Sequence, residues 1–317
     1  MKFYLAPLAD FTNAPFRKLC HEGGADLTYT EMVSAAGLAH GSSPTRHLLE
    51  TMPGEGKVAC QIFGAKETDI AEAARQIELM ASRFTELNLN AGCPMVKVTR
   101  EGAGAKLIND PAKIGRLLRV MSENTSLPIT LKTRLGPHPQ DRRIFEILDA
   151  AGDVGVKKLI IHARYTSQMH GGPIDLETLA EVVRRSSVPI IGNGSIVDLK
   201  SAAAMATTGV KAIMIGRAAL ANPSIFAALK GEGTAALDKM VICRRHLEYL
   251  LKFREQLVER FPNDHIPSAD GFASVKMHTH LFRYFNGRPG AAELRRQLNS
   301  VRTIDEINAI ISRASML

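Results

Sequence analysis

The chain has 317 residues, 45% of them apolar and 23% charged, a balance that excludes a disordered or fibrous protein. No apolar run approaches the length needed to cross a membrane, and the first strand pattern, Lys2-Phe3-Tyr4-Leu5, leaves no room for a signal peptide, so a cytoplasmic protein is expected. A net charge of +8 favours a polyanionic partner, and the length exceeds that of a single core, so one large domain and a smaller one are expected.

Strand patterns recur from the first residues, at Phe3–Leu8, Asp26–Thr30, Lys57–Phe63, Phe84–Asn88, Pro128–Thr133, Lys157–His162, Val188–Gly192 and Lys211–Ile215. Between them, Glu67–Ser82, Pro111–Ser122, Asp141–Val154 and Asp198–Thr208 carry apolar residues at helical spacing, with helix starts at Asp110-Pro111 and Ile196-Val197-Asp198. Eight such units predict an α/β fold, a TIM (β/α)8 barrel closing near residue 220. The alternative is an open doubly wound sheet, but neither GxGxxG nor GxxxxGK[ST] follows a strand; Gly102-Ala103-Gly104-Ala105-Lys106-Leu107 lacks the third glycine. Strand signals cease near Asp238, and helices are predicted at Cys243–Phe261, Gly271–Phe285, Ala291–Ser300 and Ile304–Met316, with Gly287-Arg288-Pro289-Gly290 as a breaker. The expected division is a barrel at 1–235 and a small all-α C-terminal domain at 238–317. The latter carries 13 Lys or Arg against 9 Asp or Glu, hence a basic face.

In a TIM barrel the interior is expected to be packed with aliphatics, and the site sits where polar residues end the strands. Those ends read Ala6-Pro7-Leu8, Gln61, Asn90 with Cys93, Lys132 with Arg134, His162 with Arg164, Asn193-Gly194 and Gly216-Arg217. Cys93 lies outside its apolar run, on a glycine–proline turn where a thiol has no packing reason to be. The small-residue loop Gly102-Ala103-Gly104-Ala105 is suited to moving over a bound substrate. The turns after strands seven and eight, at Gly194 and at Gly216-Arg217, are where barrels hold phosphate, and point to a phosphate-bearing cofactor. Lys132 sits in a strand buried on both faces and must meet an anion, a strong acceptor or a neighbouring carboxylate. His162 joins Arg164 at the mouth. His278 and His280 read as surface residues rather than ligands, and no metal is expected. No two of the four cysteines have CxxC spacing, so free thiols are expected. A phosphate site, a lysine, a histidine and a thiol at one mouth suggest flavin mononucleotide (FMN) with Cys93 as an acid opposite its ring.

At this point the residues resemble a family, the bacterial tRNA-dihydrouridine synthases, over nearly the whole chain. The matching segments are Leu5-Ala6-Pro7 with Thr12, Glu31-Met32-Val33-Ser34, Gln61-Ile62-Phe63-Gly64, Asn90-Ala91-Gly92-Cys93-Pro94 and Gly102-Ala103-Gly104-Ala105. They continue with Lys132-Thr133-Arg134-Leu135-Gly136, His162-x-Arg164, Gly192-Asn193-Gly194 and Ile215-Gly216-Arg217. Arg283-Tyr284-Phe285 and the run from Gly287 to Arg296 resemble the B-type branch. Asp10 stands where a glycine is usual, Asn88 where an aspartate is usual, and Ser195 replaces an acid.

The resemblance implies FMN-dependent reduction of uridine in the tRNA D-loop, with NADPH as electron source. Cys93 would protonate C5 of the uracil and Asn90 would hold the ring, with Arg134 and Arg164 as further substrate contacts. Gln61, Lys132 and His162, with Ala6, Pro7 and Leu8, would line the flavin, while Asn193, Gly194, Gly216 and Arg217 would hold its phosphate end. Lys276, Arg295 and Arg296 would contact tRNA phosphates, in a monomer with no membrane partner. Two alternatives stand beside this: an FMN barrel that reduces free pyrimidines, and an RNA-binding module that has lost turnover.

Overall fold

The computed structural model describes residues 1–232, 238–286 and 290–315. The predicted domain limit at 235, Gly287-Arg288-Pro289 of the predicted breaker, and Met316 of the predicted last helix lie outside the described residues. The chain runs β1 (Lys2–Leu5), α1 (Ala14–Glu22), β2 (Thr28–Ser34), α2 (Ala35–Ala39), α3 (Ser43–His47) and β3 (Val58–Phe63). Next come α4 (Glu67–Glu78), β4 (Leu87–Ala91), α5 (Val96–Thr99), α6 (Pro111–Asn124), β5 (Ile129–Arg134), α7 (Ile144–Val154) and β6 (Leu159–His162). α8 (Leu176–Arg185), β7 (Ile190–Asn193), α9 (Leu199–Ala206), β8 (Ala212–Ile215), α10 (Arg217–Ala221) and α11 (Ile225–Lys230) complete the alternation. Four helices follow: α12 (Lys239–Arg260), α13 (Ala269–Tyr284), α14 (Ala291–Leu298) and α15 (Ile304–Ser315).

The eight strands pair in parallel in the order β1-β8-β7-β6-β5-β4-β3-β2. The ring closes between β1 and the start of β2, where Leu5 N–H donates to Leu27 O (2.9 Å) and Asp26 N–H to Phe3 O (2.8 Å). The fold is thus a (β/α)8 barrel followed by C-terminal helices. Both predicted helix starts are capped: Asp110 accepts from Lys113 N–H with Pro111 at the first helical position, and Asp198 forms a reciprocal capping box with Ser201. Each side-chain cap satisfies an N–H that the helix itself leaves unpaired, worth about 1 kcal/mol.

Strands β2 and β4 run past their predicted ends, so that Asn90 lies on β4 rather than on the turn after it. The reason is inside the barrel. An aliphatic interior is expected, and it is found mainly around β1, β2 and β6–β8, where Tyr29, Ile160, Ile191 and Met214 form a small apolar cluster that reaches Ala59 of β3. On β3–β5 the same layers hold Gln61, Asn88, Asn90 and Thr130, buried and hydrogen-bonded to one another, so pleating continues through residues that hydropathy treats as breakers.

The helices of the second half share one apolar cluster, with Leu250, Met277, Leu281 and Tyr284 fully buried, and it takes in Ala14, Leu19 and Met52 from the barrel side. Among the described residues no helix is long and apolar enough to cross a membrane. His280 corrects the surface reading: it is fully buried, 4.4 Å from the ring of buried His246 and stacked near Phe16, because α1 and α12 close over that side of α13. His246 Nδ1 meets the Tyr284 hydroxyl at 3.1 Å. Burial holds both imidazoles neutral, His246 down to about 3 and His280 well below its usual value, with Arg283 and Lys276 adding to the latter. Since the unfolded chain takes up protons at these histidines from about pH 6.5 downward and the folded chain does not, stability is full above that pH and falls as pH drops. The expected slope is roughly 2.7 kcal/mol per pH unit for the two residues between about pH 6 and pH 4. Urea melts across that range check it, and His246→Phe should flatten the slope by about half.

Candidate active site

The strand ends converge on one mouth, and the mouth has two unlike halves. The β1–β4 half borders a cleft of about 830 Å³ closed on its far side by α12 and α13; Asp10, Glu31, Met32, Met95, Phe253 and Lys276 are among its walls. The β5–β8 half carries cations. Cys93 follows β4, at the seam between them.

The Cys93 turn is held from several sides. Asn90 Oδ1 accepts the N–H groups of Gly92 (3.1 Å) and Cys93 (3.0 Å), while its Nδ2 donates to Gln61 Oε1 (2.9 Å) and the Met32 sulfur (2.9 Å). Arg134 is buried, with Nε on Gly92 O (2.8 Å) and Nη1 on Tyr165 O (3.1 Å), and Ala105 N–H donates to Cys93 O (2.8 Å). The small-residue loop expected to move over substrate is instead packed against this turn: Ala103, Gly104 and Ala105 are buried, and Gly104–Asn109 forms a 3-10 helix. Small residues are there for close approach. A Cβ on Gly104 would lie 2.6 Å from Cys93 O, and its φ of 59° is left-handed. Gly104→Ala should therefore cost about 2–4 kcal/mol, from αL strain plus overpacking, and displace the thiol; thermal unfolding and the rate of Cys93 alkylation check it.

The Cys93 thiol is half-exposed while Cys20, Cys60 and Cys243 are buried, and among the described residues none of the four is in a disulfide. Burial raises the Cys93 pKa; the Met95 N–H and the charges of Arg134 and Lys132 oppose this less strongly. The group stays a protonated thiol at neutral pH, suited to give a proton rather than to attack as thiolate.

Lys132 Nζ donates to Asn193 Oδ1 at 3.1 Å, and among the described residues no carboxylate pairs with it. Burial, with Arg134 beside it, lowers its pKa to about 7. Arg164 spreads its guanidinium over Gly171 O (2.9 Å), Gly172 O (2.7 Å) and Ser195 Oγ (2.7 Å), and its Nη1 faces His162 Nε2 at 3.1 Å. A guanidinium only donates, so His162 Nε2 accepts and the ring is neutral. Its pKa is driven far down by burial and by Lys132, Arg134, Arg164 and His170. Gly194 has φ 126°, and a Cβ there would press on Ile174 and His162. Arg217 is exposed beside the same loop, its Nη2 on His170 O (3.3 Å). Arg283 of α13 lies over the Phe11 ring at 4.8 Å and feels the charge of Arg217.

Sequence reasoning thus singled out most of this mouth but missed four members. Glu31 and Phe11 had no strand-end signature, and His170 and Arg283 are brought in by a loop and by a distant helix. Of the residues named for the helical half, Lys276 lines the cleft. Arg295 and Arg296 do not: Arg296 pairs with Glu293, and Arg295 bonds Ala291 O (3.2 Å). Ala6 and Leu8 end β1 at the mouth, Ala6 N–H on Ile215 O (2.8 Å) and Leu8 N–H on Thr12 Oγ1 (3.1 Å), with Pro7 between them.

The profile of the dihydrouridine synthase family matches residues 4–315. The chain belongs to that family. The tRNA-dihydrouridine synthase B proteins of Klebsiella pneumoniae and of Escherichia coli strain K12 are each 36% identical to it over 222 residues, 70% of this chain and 68% of theirs. Among solved structures, an old yellow enzyme homologue from Zymomonas mobilis superposes with a TM-score of 0.53 at 11% identity, covering 75% of this synthase-family chain and 90% of its own. Morphinone reductase in complex with tetrahydroNAD gives 0.51 at 12% identity, over 75% and 88%. At such identities the likeness is one of fold.

Proposed function

We propose that this chain reduces particular uridines of the tRNA D-loop to 5,6-dihydrouridine, with FMN as cofactor and NADPH as electron donor, and that it does so in the cytoplasm as a monomer. Family membership supports the reaction class. The observation that carries the chemistry is a protonated, half-exposed thiol at the seam between a cleft and a cation cluster.

The residues present fit FMN. Lys132, Arg134, Arg164 and Arg217 gather on one half of the mouth with two neutral imidazoles, and none of them is paired with a carboxylate among the described residues. Such a set lacks an anion, and a phosphomonoester supplies one. Gly194, Gly216 and Arg217 would hold the phosphate, with Asn193 orienting Lys132 beside them. Gln61, Lys132 and His162 would face the ring system, against Ala6, Pro7 and Leu8. FMN, when bound, supplies the hydride for C6 of the uracil.

The chain's own residues do the rest. Cys93 Sγ gives its proton to C5. Asn90 and Arg134 hold the backbone on either side of that sulfur, and Arg164 braces the 171–172 loop beside His162. The base must leave the folded tRNA, at a cost of a few kcal/mol. Phosphate contacts by residues 238–317, Lys276 first among them, offset it, and residues 1–235 do the chemistry.

Dihydrouridine mapped by nucleotide position on tRNA incubated with the flavin-loaded protein and NADPH tests the reading. One defined D-loop site is the expected result, with tRNA affinity falling steeply as salt rises. Reduction of free pyrimidines with no product in any tRNA overturns it.

A further inference from the structure

The polar interior of β3–β5 forms one continuous line of hydrogen bonds in which every donor points the same way. Cys93 and Gly92 N–H donate to Asn90 Oδ1, and Asn90 Nδ2 donates to Gln61 Oε1 (2.9 Å). Gln61 Nε2 donates to Asn88 Oδ1 (2.7 Å), Asn88 Nδ2 to Thr130 Oγ1 (2.8 Å), and Thr130 Oγ1 to Glu86 Oε1 (3.1 Å). Glu86 also accepts from Tyr29 OH (2.5 Å) and pairs with Lys158 Nζ (2.5 Å) at the far end of the barrel. Gln61, Asn88 and Thr130 are fully buried, so no water replaces a missing partner.

A carboxamide turned by half a rotation exchanges its donor and acceptor, so each of these three amides has two possible polarities. Neither end of the line has that freedom. A paired carboxylate only accepts, which makes the Thr130 hydroxyl donate to it and accept from Asn88. Asn88 then presents its carbonyl to Gln61, Gln61 its carbonyl to Asn90, and Asn90 its carbonyl to the two backbone N–H groups, which only donate. The two fixed ends agree, and Asn88 is the middle link.

We propose that Asn88 is a positioning residue for the Cys93 turn: it carries the polarity set by Glu86 through Gln61 to Asn90, and so keeps the Asn90 carbonyl against the Gly92 and Cys93 amides. With Asn90 reversed, its NH2 would confront two N–H donors, each left without its acceptor at about 1–3 kcal/mol, and the turn would leave its place. The effect on the reaction rests on the reading of Cys93 as the acid; the effect on the thiol does not.

The test is alkylation of Cys93 by iodoacetamide across pH, read on the Cys93 peptide of the flavin-loaded protein, beside single-turnover dihydrouridine formation and tRNA affinity. Asn88→Leu keeps the shape and removes both links. It should raise the neutral-pH alkylation rate at least about fivefold, as the freed thiol moves toward its ordinary pKa. Product formation should fall at least about tenfold with tRNA affinity unchanged. Asn88→Asp keeps the acceptor toward Gln61, and its carboxyl, neutral in this dry interior, also keeps a donor toward Thr130. It should stay within about twofold of the native protein in both readouts. Should Asn88→Leu fail to fold, Thr130→Val, one link further down and nearly the same shape, decides the matter by the same alkylation profile. A native profile in whichever of these folds, or an Asn88→Asp profile shifted as far as that of Asn88→Leu, overturns the proposal. Cys93→Ala run in parallel separates the two ideas: full product from it sinks the acid assignment and leaves the alkylation result standing.

Discussion

Cys93→Ala is expected to fold, to keep its flavin, and to lose dihydrouridine formation by roughly 10²–10⁴-fold, the usual worth of a positioned general acid. The variant gives up the hydrogen bond from Met95 N–H to the sulfur, but Asn90, Arg134 and Ala105 hold the Gly92–Cys93 backbone, and they remain. The loss should therefore fall on product formation and leave tRNA affinity within about twofold. Cys93→Ser keeps a proton of much higher pKa and should recover little. In the native protein the acid must be protonated, so the rate is expected to stay level through neutral pH. It should decline only in the alkaline range, above the ordinary thiol value, because burial raises this pKa. Single-turnover rates across pH, with flavin absorbance recorded for each variant, check both statements. Native product yield from Cys93→Ala would end the assignment.

The largest effect on stability is expected from Arg17→Met. Arg17 of α1 is 1% exposed and Glu55 is 3% exposed, and their side chains meet at 2.5 Å. The same guanidinium donates to Thr12 O (2.8 Å) and Glu50 O (2.9 Å), and Glu55 also accepts Met52 N–H (2.8 Å). One cation thus ties the loop after β1 to the segment before β3 and forms part of the cleft wall. Methionine fills the space but leaves the Glu55 carboxylate buried with a single N–H, at a cost of about 3–5 kcal/mol. That is a large share of a typical net stability of about 5–15 kcal/mol. Urea unfolding should show an earlier midpoint with little change in slope. The double variant Arg17→Met with Glu55→Leu should regain much of the loss, since the isolated charge is what costs. A drop below about 1 kcal/mol in the single variant would mean that water reaches Glu55.

The barrel was legible because its signals are local. Eight apolar runs at unit spacing, and caps such as Asp110 and Asp198, are properties of short windows; each run overlaps a strand and both caps are formed, although β2 and β4 end later than their windows. The mouth was legible for a related reason: a polar residue that ends a parallel strand has one place to go. Where the reading failed, a partner distant in sequence decided. His280 carries no mark that distinguishes it from half-buried His278; α1 and α12 bury the one fully and leave the other partly open to solvent. Gly102-Ala103-Gly104-Ala105 has the composition of a moving loop, and the carbonyl of Cys93 makes it a packed one.

By itself, the sequence determined the number and order of the strands, the thiol outside its apolar run, and the gathering of polar strand ends at one mouth, because periodicity and turn chemistry act over a few residues. Only the tertiary structure decided which polar groups satisfy one another. Register between strands sets Asn88 beside Gln61 and Thr130, and Asn90 beside Lys132. A buried amide is tolerated or ruinous according to the neighbour that register supplies, and no window of the chain contains that neighbour.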